Sequence, residues 1–238
     1  SHHCYDCLYH IHYPGKAPEN SKMLYDCPKM LYHYVCQYSY LYTKELFYAF
    51  DAEWDFLRDY PYYHILSLGC GGCADLMAFD YLCDRKQMEY DISYIGIDVN
   101  RLWEPIHNRI KEYCEKKNIR FNIGYYDVFE CFKEKRVEDA NIIVLSYLIS
   151  YLYNTNQINK INSLTCDIVE KIMNKKKVGQ QLLLVINDVN SNKRGRDYFK
   201  YFETAILRRR LKITGCNFRF FDPGTLNEWQ EIGEPYGI

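Results

Sequence analysis

Four groups of residues have types and spacings that can do chemistry. The first is Gly69-Cys70-Gly71, which closes the apolar run His64-Ile65-Leu66-Ser67-Leu68 and precedes a helical stretch. Glycine reaches positive φ without penalty, and with no Cβ it lets a ligand approach the main chain. The helix start just beyond offers free N–H groups to an anionic group. The second is Asp98, which ends the next apolar run, Tyr94-Ile95-Gly96-Ile97. A carboxylate there can accept both hydroxyls of a ribose. Gly69, Gly71 and Ala74 also satisfy the Gly-x-Gly-x-x-Gly/Ala dinucleotide fingerprint, so NAD fits this pattern too. With no ligand, the same residues make a tight strand-to-helix turn with Asp98 as a cap.

The third group is Asn187-Asp188-Val189-Asn190, after another apolar run. Strand C-terminal ends line the site in open α/β sheets. Asp188 there either binds a substrate amine, acts as a base, or caps a helix or turn. Arg194, Arg196 and Asp197 follow and could clamp a phosphate or another acidic group. The fourth group is the head of the chain. Cys4-x-x-Cys7 has zinc-knuckle spacing, and Cys27 just before a helix is a sensible third ligand. His10, His12 and Cys36 compete for the fourth position. Without zinc, the head reads as a tyrosine-rich lid over a ligand mouth.

The elements that must position these groups alternate along the chain. Apolar runs at 65–68, 94–97, 120–123, 141–145 and 181–186 read as strands. Between them, 75–86, 101–117 and 158–177 carry helical periodicity. The inward residues expected are Ile106, Ile110 and Tyr113 on the second helix, and Ile161, Leu164, Ile168 and Ile172 on the third. Strands alternating with helices imply a parallel sheet covered on both faces. Residues 29–60 lack Pro and Gly and predict one or two helices, with Leu31, Val35, Tyr38, Leu46, Phe50 and Leu57 on one stripe. A last helix with Phe199, Phe202, Ile206 and Leu207 inward precedes two strand-like segments joined through Asp222-Pro223-Gly224. The organisation expected is a Cys/His/Tyr-rich segment and helical cap over 1–63, then an α/β domain over 64–238.

Taken together, these segments resemble class I S-adenosylmethionine (SAM)-dependent methyltransferases. ILSLGCGGCADL resembles the first motif of that family, YIGIDVN the second and GYYDVF the acidic segment after the third strand. NIIVLSYLISYLY and QLLLVINDVN resemble the fourth- and fifth-strand segments. The resemblance implies a Rossmann-like, mostly parallel seven-stranded sheet of order 3-2-1-4-5-7-6. It implies that Gly69, Cys70 and Gly71 lie beside the amino-acid part and ribose of SAM, with Asp98 on the ribose hydroxyls. Asp127 would face the adenine amino group, assisted by the backbone near Val128. Ser146 and Tyr147 would stand near the methyl group, and with Asp188 orient the acceptor. Two positions depart from the pattern: Ser67 stands where the family often carries an acid, and Cys73 replaces the third glycine.

Composition bounds the rest. At 48% hydrophobic and 26% charged, the chain is an ordinary globular one, and a net charge of −1 gives no global attraction to nucleic acid or anionic membrane. The acid excess lies in the first half and the base excess in the second, with basic clusters at 175–177, 193–196 and 208–212. The longest apolar segment, 140–153, is interrupted by Asn141, Ser146 and Ser150, so no membrane span is expected. The first residues lack a basic and then apolar leader, and Cys83, Cys114 and Cys166 sit in apolar segments; both point to a reducing cytoplasm. The fourth-strand segment LSYLISY lacks the Asn/Asp-Pro-Pro-Tyr/Phe pattern of amino-methylating nucleic-acid enzymes, and no Pro-Cys pair supplies a cytosine-C5 nucleophile. The expectation is methyl transfer to an N or O nucleophile of RNA, protein or a small molecule. Its rivals are a NAD-dependent oxidoreductase and a non-catalytic SAM-binding or interaction module.

Overall fold

The computed structural model describes residues 4–13, 16–17, 25–88, 90–189, 198–215, 219–221 and 229–231, the backbone alone for 4, 5, 219–221 and 229–231. The head forms α1 (Cys4–His12). A long helical run then comprises α2 (Pro28–Tyr34), a π-helical stretch (Val35–Ser39) and α3 (Tyr40–Ala52), followed by the single turn α4 (Trp54–Leu57). Proline at the start of α2 suits a position whose N–H has no helical partner. Leu31, Leu46, Phe50 and Leu57 of the expected stripe are fully buried.

The α/β part alternates as the sequence predicts. β1 (Tyr63–Leu68), α5 (Ala74–Lys86), β2 (Ile92–Ile97), α6 (Glu104–Lys116) and β3 (Arg120–Gly124) follow in order. Then come α7 (Val128–Cys131), β4 (Ile142–Ser146), α8 (Leu148–Asn154), α9 (Ile158–Lys171), β5 (Leu183–Asn187) and α10 (Phe199–Arg208). The five strands form one parallel sheet in the order β3-β2-β1-β4-β5.

Side-chain alternation on the strands separates two cores. Leu66, Leu68, Ile95, Ile97, Ile143 and Leu145 face α7–α10. Ile65, Tyr94, Ile142 and Val144 face the other way, onto α3 and α5. A sheet buried on both faces explains why these strands read as near-continuous apolar runs.

β6 (Arg219–Phe221) and β7 (Trp229–Glu231) pair antiparallel with each other, and among the described residues the main sheet has five strands. Three expectations are corrected. On the segment opened by the 3₁₀ turn Arg101–Trp103 and continued by α6, Ile110 packs against the core as expected, but the fully inward residues are Trp103, His107 and Cys114, while Tyr113 is exposed. A histidine can take the inward place because both its ring nitrogens find oxygen partners. The third helix stops at Lys171, and a 3₁₀ turn (Met173–Lys175) replaces its expected last turn. Leu207 and Cys166 are exposed rather than inward. No helix among the described residues is long and apolar enough to cross a membrane.

Candidate functional site

In the order 3-2-1-4-5 the chain reverses its winding between β1 and β4, and the crevice at the strand C-termini opens there. A cleft of about 540 Å³ occupies this position. It is lined by Gly69, Gly71, Asp98, Asp127, Val128, Ser146 and Tyr147, seven residues singled out from the sequence.

The turn after β1 forms the floor. The N–H groups of Gly69 and Cys70 both donate to the Ile97 carbonyl, at 2.8 and 3.0 Å. Gly69 has φ +71, and a Cβ there would stand 3.1 Å from Leu148 Cδ1. Gly71 has φ +47. Glycine is thus required at the first position by conformation and by the close approach of α8 together. Cys70, between them, is buried and faces away from the cleft toward β2, near Gly96.

Asp98 follows β2 directly. Its Oδ2 accepts the Gly71 N–H at 2.9 Å, and its Oδ1 accepts the Asn100 N–H at 2.8 Å. Burial raises its pKa, while these N–H groups and His107 pull the other way. The Asn100 side chain donates to the Tyr25 carbonyl at 2.6 Å. That bond ties the head segment to the cleft rim, where Tyr25, Asp26 and Tyr34 form a wall. Trp103, nearly buried, lines the cleft and meets Tyr34 edge to face.

At the far end, Asp127 caps α7 by accepting the Phe129 N–H at 3.2 Å. Its other oxygen pairs with Lys160 at 3.2 Å, and Lys160 lines the cleft as well.

The opposite wall is Ser146 and Tyr147. Tyr147 holds φ +56, a conformation rare for an aromatic residue and common where function over-determines the backbone. Its N–H donates to the Asn187 carbonyl at 2.7 Å, and its ring lies 4.2 Å from that of Tyr42. Its hydroxyl donates to Glu45 Oε2 at 2.9 Å, and Asn187 Nδ2 donates to the same oxygen at 2.8 Å. Burial raises the pKa of Glu45 against the pull of these two bonds.

Asp188 does not line the cleft. Its oxygens accept the N–H groups of Val189 at 2.7 Å and Ser150 at 3.0 Å, so it caps α8, the alternative its sequence context offered. Burial pushes its pKa up to about 6. Arg194, Arg196 and Asp197 lie outside the described residues.

Of the expected zinc ligands, Cys7 and Cys27 are half-buried beside the small core of Leu8, Ile11 and Met30, and the Cys4 side chain lies outside the described residues. The one group with metal-ligand spacing among the described residues is elsewhere: Cys70, Cys73 and His107. Glu45, Lys160, Trp103 and His107 were missed in the sequence. Glu45 carried a signal, as an acid inside the apolar stripe three residues after Tyr42 and beside Leu46. Lys160 carried none. In comparisons with known proteins, no family model matches the chain and no curated protein is significantly similar to it.

Proposed function

We propose that the chain is a SAM-dependent methyltransferase acting on an N or O nucleophile. The observation that carries this reading is the union of Gly71 and Asp98 across 2.9 Å at the mouth of an open cleft at the switch point of the sheet. A carboxylate after the second strand, bound to the glycine turn after the first, suits a ribose whose substituent runs along that turn. On this reading β6 and β7 are the last two strands of a seven-stranded fold, and the chain works in a reducing cytoplasm.

The residues present fit the cofactor. Each Asp98 oxygen has one N–H partner, which leaves lone pairs for ribose hydroxyls. The missing side chains at Gly69 and Gly71 leave main chain open to the cleft. Val128 and the Asp127–Lys160 pair would receive the adenine, with Asp127 sharing an oxygen between Lys160 and the amino group. When bound, SAM would supply an electrophilic sulfonium methyl group. The protein's share is to orient the acceptor and exclude water. Ser146 and Tyr147 form the wall for that task, with the Tyr147 ring locked by Glu45 and Tyr42. Tyr25, Asp26 and Tyr34 close the cleft from the head segment. Asp188 holds the start of α8, and so acts by positioning that wall.

Calorimetric titration with SAM, S-adenosylhomocysteine and NAD tests the reading. Binding of the two sulfur nucleosides supports it; binding of NAD without them overturns it in favour of an oxidoreductase. Transfer of labelled methyl into RNA, protein or small-molecule pools then identifies the acceptor class. Tight SAM binding with no acceptor in any pool would make the chain a non-catalytic SAM-binding module.

A further inference from the structure

We infer that Cys70, Cys73 and His107 form a binding site for a zinc-like divalent ion beneath the glycine turn. The inference is independent of what fills the cleft. Cys70 and Cys73 bracket the turn, which the Cys73 N–H closes on the Cys70 carbonyl at 2.8 Å. Cys73 adopts φ +55 as it enters α5. His107 reaches the pair from α6, and the three ligand atoms all lie within 4.8 Å of one another. In a tetrahedral site with Zn–S about 2.3 Å and Zn–N about 2.0 Å, ligand atoms stand roughly 3.5 Å apart. Side-chain adjustments of about an ångström or less close the difference.

The donor set selects the ion. Two thiolates and an imidazole suit a borderline-soft metal and disfavour magnesium or calcium, which take oxygen. All three side chains are buried, at 7%, 0% and 2% exposure. Burial of net charge is costly, and a divalent ion with two thiolates and a neutral imidazole sums to zero. A monovalent copper ion would leave a net negative charge in the core.

The surroundings are arranged as a metal site needs. His107 Nδ1 lies 2.8 Å from the Tyr125 hydroxyl, and Nε2 lies 2.7 Å from the Gly71 carbonyl. Whichever nitrogen takes the ion, the other keeps an oxygen partner that fixes the ring. The ring is further held by stacking on Trp103 and Tyr125. Two residues beyond Cys73, the Asp75 carboxylate is buried with one oxygen lacking any hydrogen-bond partner. Its other oxygen accepts the Tyr94 hydroxyl at 3.0 Å, so the region beneath the turn carries polar groups as well as hydrocarbon. Gly71 sits between the two cysteines and donates to Asp98. An ion held there would brace the turn that carries the Asp98 contact.

The test uses the full chain, reduced and stripped of metal, with no nucleoside present. Zn²⁺ is titrated against a chromogenic chelator, and Co²⁺ uptake is followed by its thiolate charge-transfer absorption. The expected result is one ion per chain with release of two thiol protons, lost in the Cys70→Ser/Cys73→Ser variant and kept in the Cys4→Ser/Cys7→Ser/Cys27→Ser variant. His107→Gln gives the second readout should the double variant fail to fold: the Co²⁺ absorption shifts and affinity falls. No ion bound by the reduced chain overturns the inference. So does retention of the ion by Cys70→Ser/Cys73→Ser, or its loss with the head cysteines alone, which would return the metal to the head.

Discussion

The main-chain N–H of Gly71 donates to Oδ2 of Asp98 at 2.9 Å, joining the turn after β1 to the tip of β2. The carboxylate is fixed from its other side by the Asn100 N–H, so it stands oriented before any ligand arrives. Asn100 in turn reaches the Tyr25 carbonyl. One acidic residue thereby couples the cleft floor, the second strand and the head segment. Preorganisation of this kind lowers the ordering cost of binding.

Replacing that carboxylate should therefore weaken nucleoside binding more than it weakens the fold. Asp98→Asn sets an NH₂ group against a main-chain N–H and removes the charge that a ribose would meet. Hydrogen bonds to charged groups contribute about 1.5–3 kcal/mol, which corresponds to roughly 10- to 100-fold in Kd. Calorimetry with SAM measures it, and unchanged affinity would take Asp98 out of the site.

The two turn glycines should respond unequally to alanine. At Gly69 a Cβ meets Leu148 Cδ1 at 3.1 Å on top of its positive φ, whereas at Gly71 the nearest atom is a Trp103 ring carbon at 3.7 Å. A left-handed backbone costs a non-glycine residue about 1–2 kcal/mol. Gly71→Ala should lose about that much, and Gly69→Ala more, because Leu148 must also shift. Thermal midpoints of the two variants check the order, and equal losses would show that Leu148 yields freely.

The expected elements and the floor of the cleft were legible because short-range rules govern them. An apolar run ending in Gly-x-Gly, an acid ending the next run and helical spacing between them need no partner to be read. Asp127, Val128, Ser146 and Tyr147 came from the family resemblance, and they line the cleft because strand C-termini face one edge of the sheet. What stayed hidden depends on distant pairing. Glu45 lies 102 residues from the Tyr147 hydroxyl it accepts, and His107 lies 36 from the Gly71 carbonyl. On α6, Ile110 packs against the core as expected, but His107 was overlooked and Tyr113 misplaced because tyrosine outranks histidine in hydrophobicity, while the buried place goes to the residue with hydrogen-bond partners. The β6–β7 antiparallel pair was legible from two strand-like segments about a Pro-Gly turn, whereas its place beside the main sheet came only from the family resemblance.

The Glu45–Tyr147 contact should make stability pH-dependent once it is broken. Tyr147→Phe keeps the ring against Tyr42 but removes the hydroxyl that donates to Glu45. Glu45 is buried with a raised pKa, and loss of a donor raises it further. A carboxyl group with a raised folded pKa contributes stability at low pH and loses it as pH rises through that value. The variant should be destabilised by about 1–3 kcal/mol, and by more at pH 8 than at pH 5. Urea midpoints at the two pH values test this, and an equal loss at both would mean that Glu45 does not titrate in the range.

Asp188 gives the clearest titration, because its folded pKa of about 6 stands above its ordinary value of 3.8. Burial is the largest cause, and it outweighs the N–H groups of Ser150 and Val189 that favour the charged form. Between the two values the unfolded chain releases this proton while the folded chain keeps it. Stability from Asp188 is therefore complete below about pH 4, declines through pH 4–6 and is lost above, by about 3 kcal/mol in all. Other groups titrate in the same window, so a difference against Asp188→Asn is needed. Asparagine cannot ionise, and its NH₂ group faces one of two main-chain donors, so the variant should be the less stable chain at pH 4.5. As pH rises to 7.5 the wild type alone acquires a buried charge, and because about a third of the loss has already occurred by pH 4.5, the gap between the two should narrow by about 2 kcal/mol. Denaturant titrations across that range decide it. A gap constant with pH would give Asp188 an ordinary pKa, and a gap widening with pH would mean that the capping bonds to α8 outweigh burial.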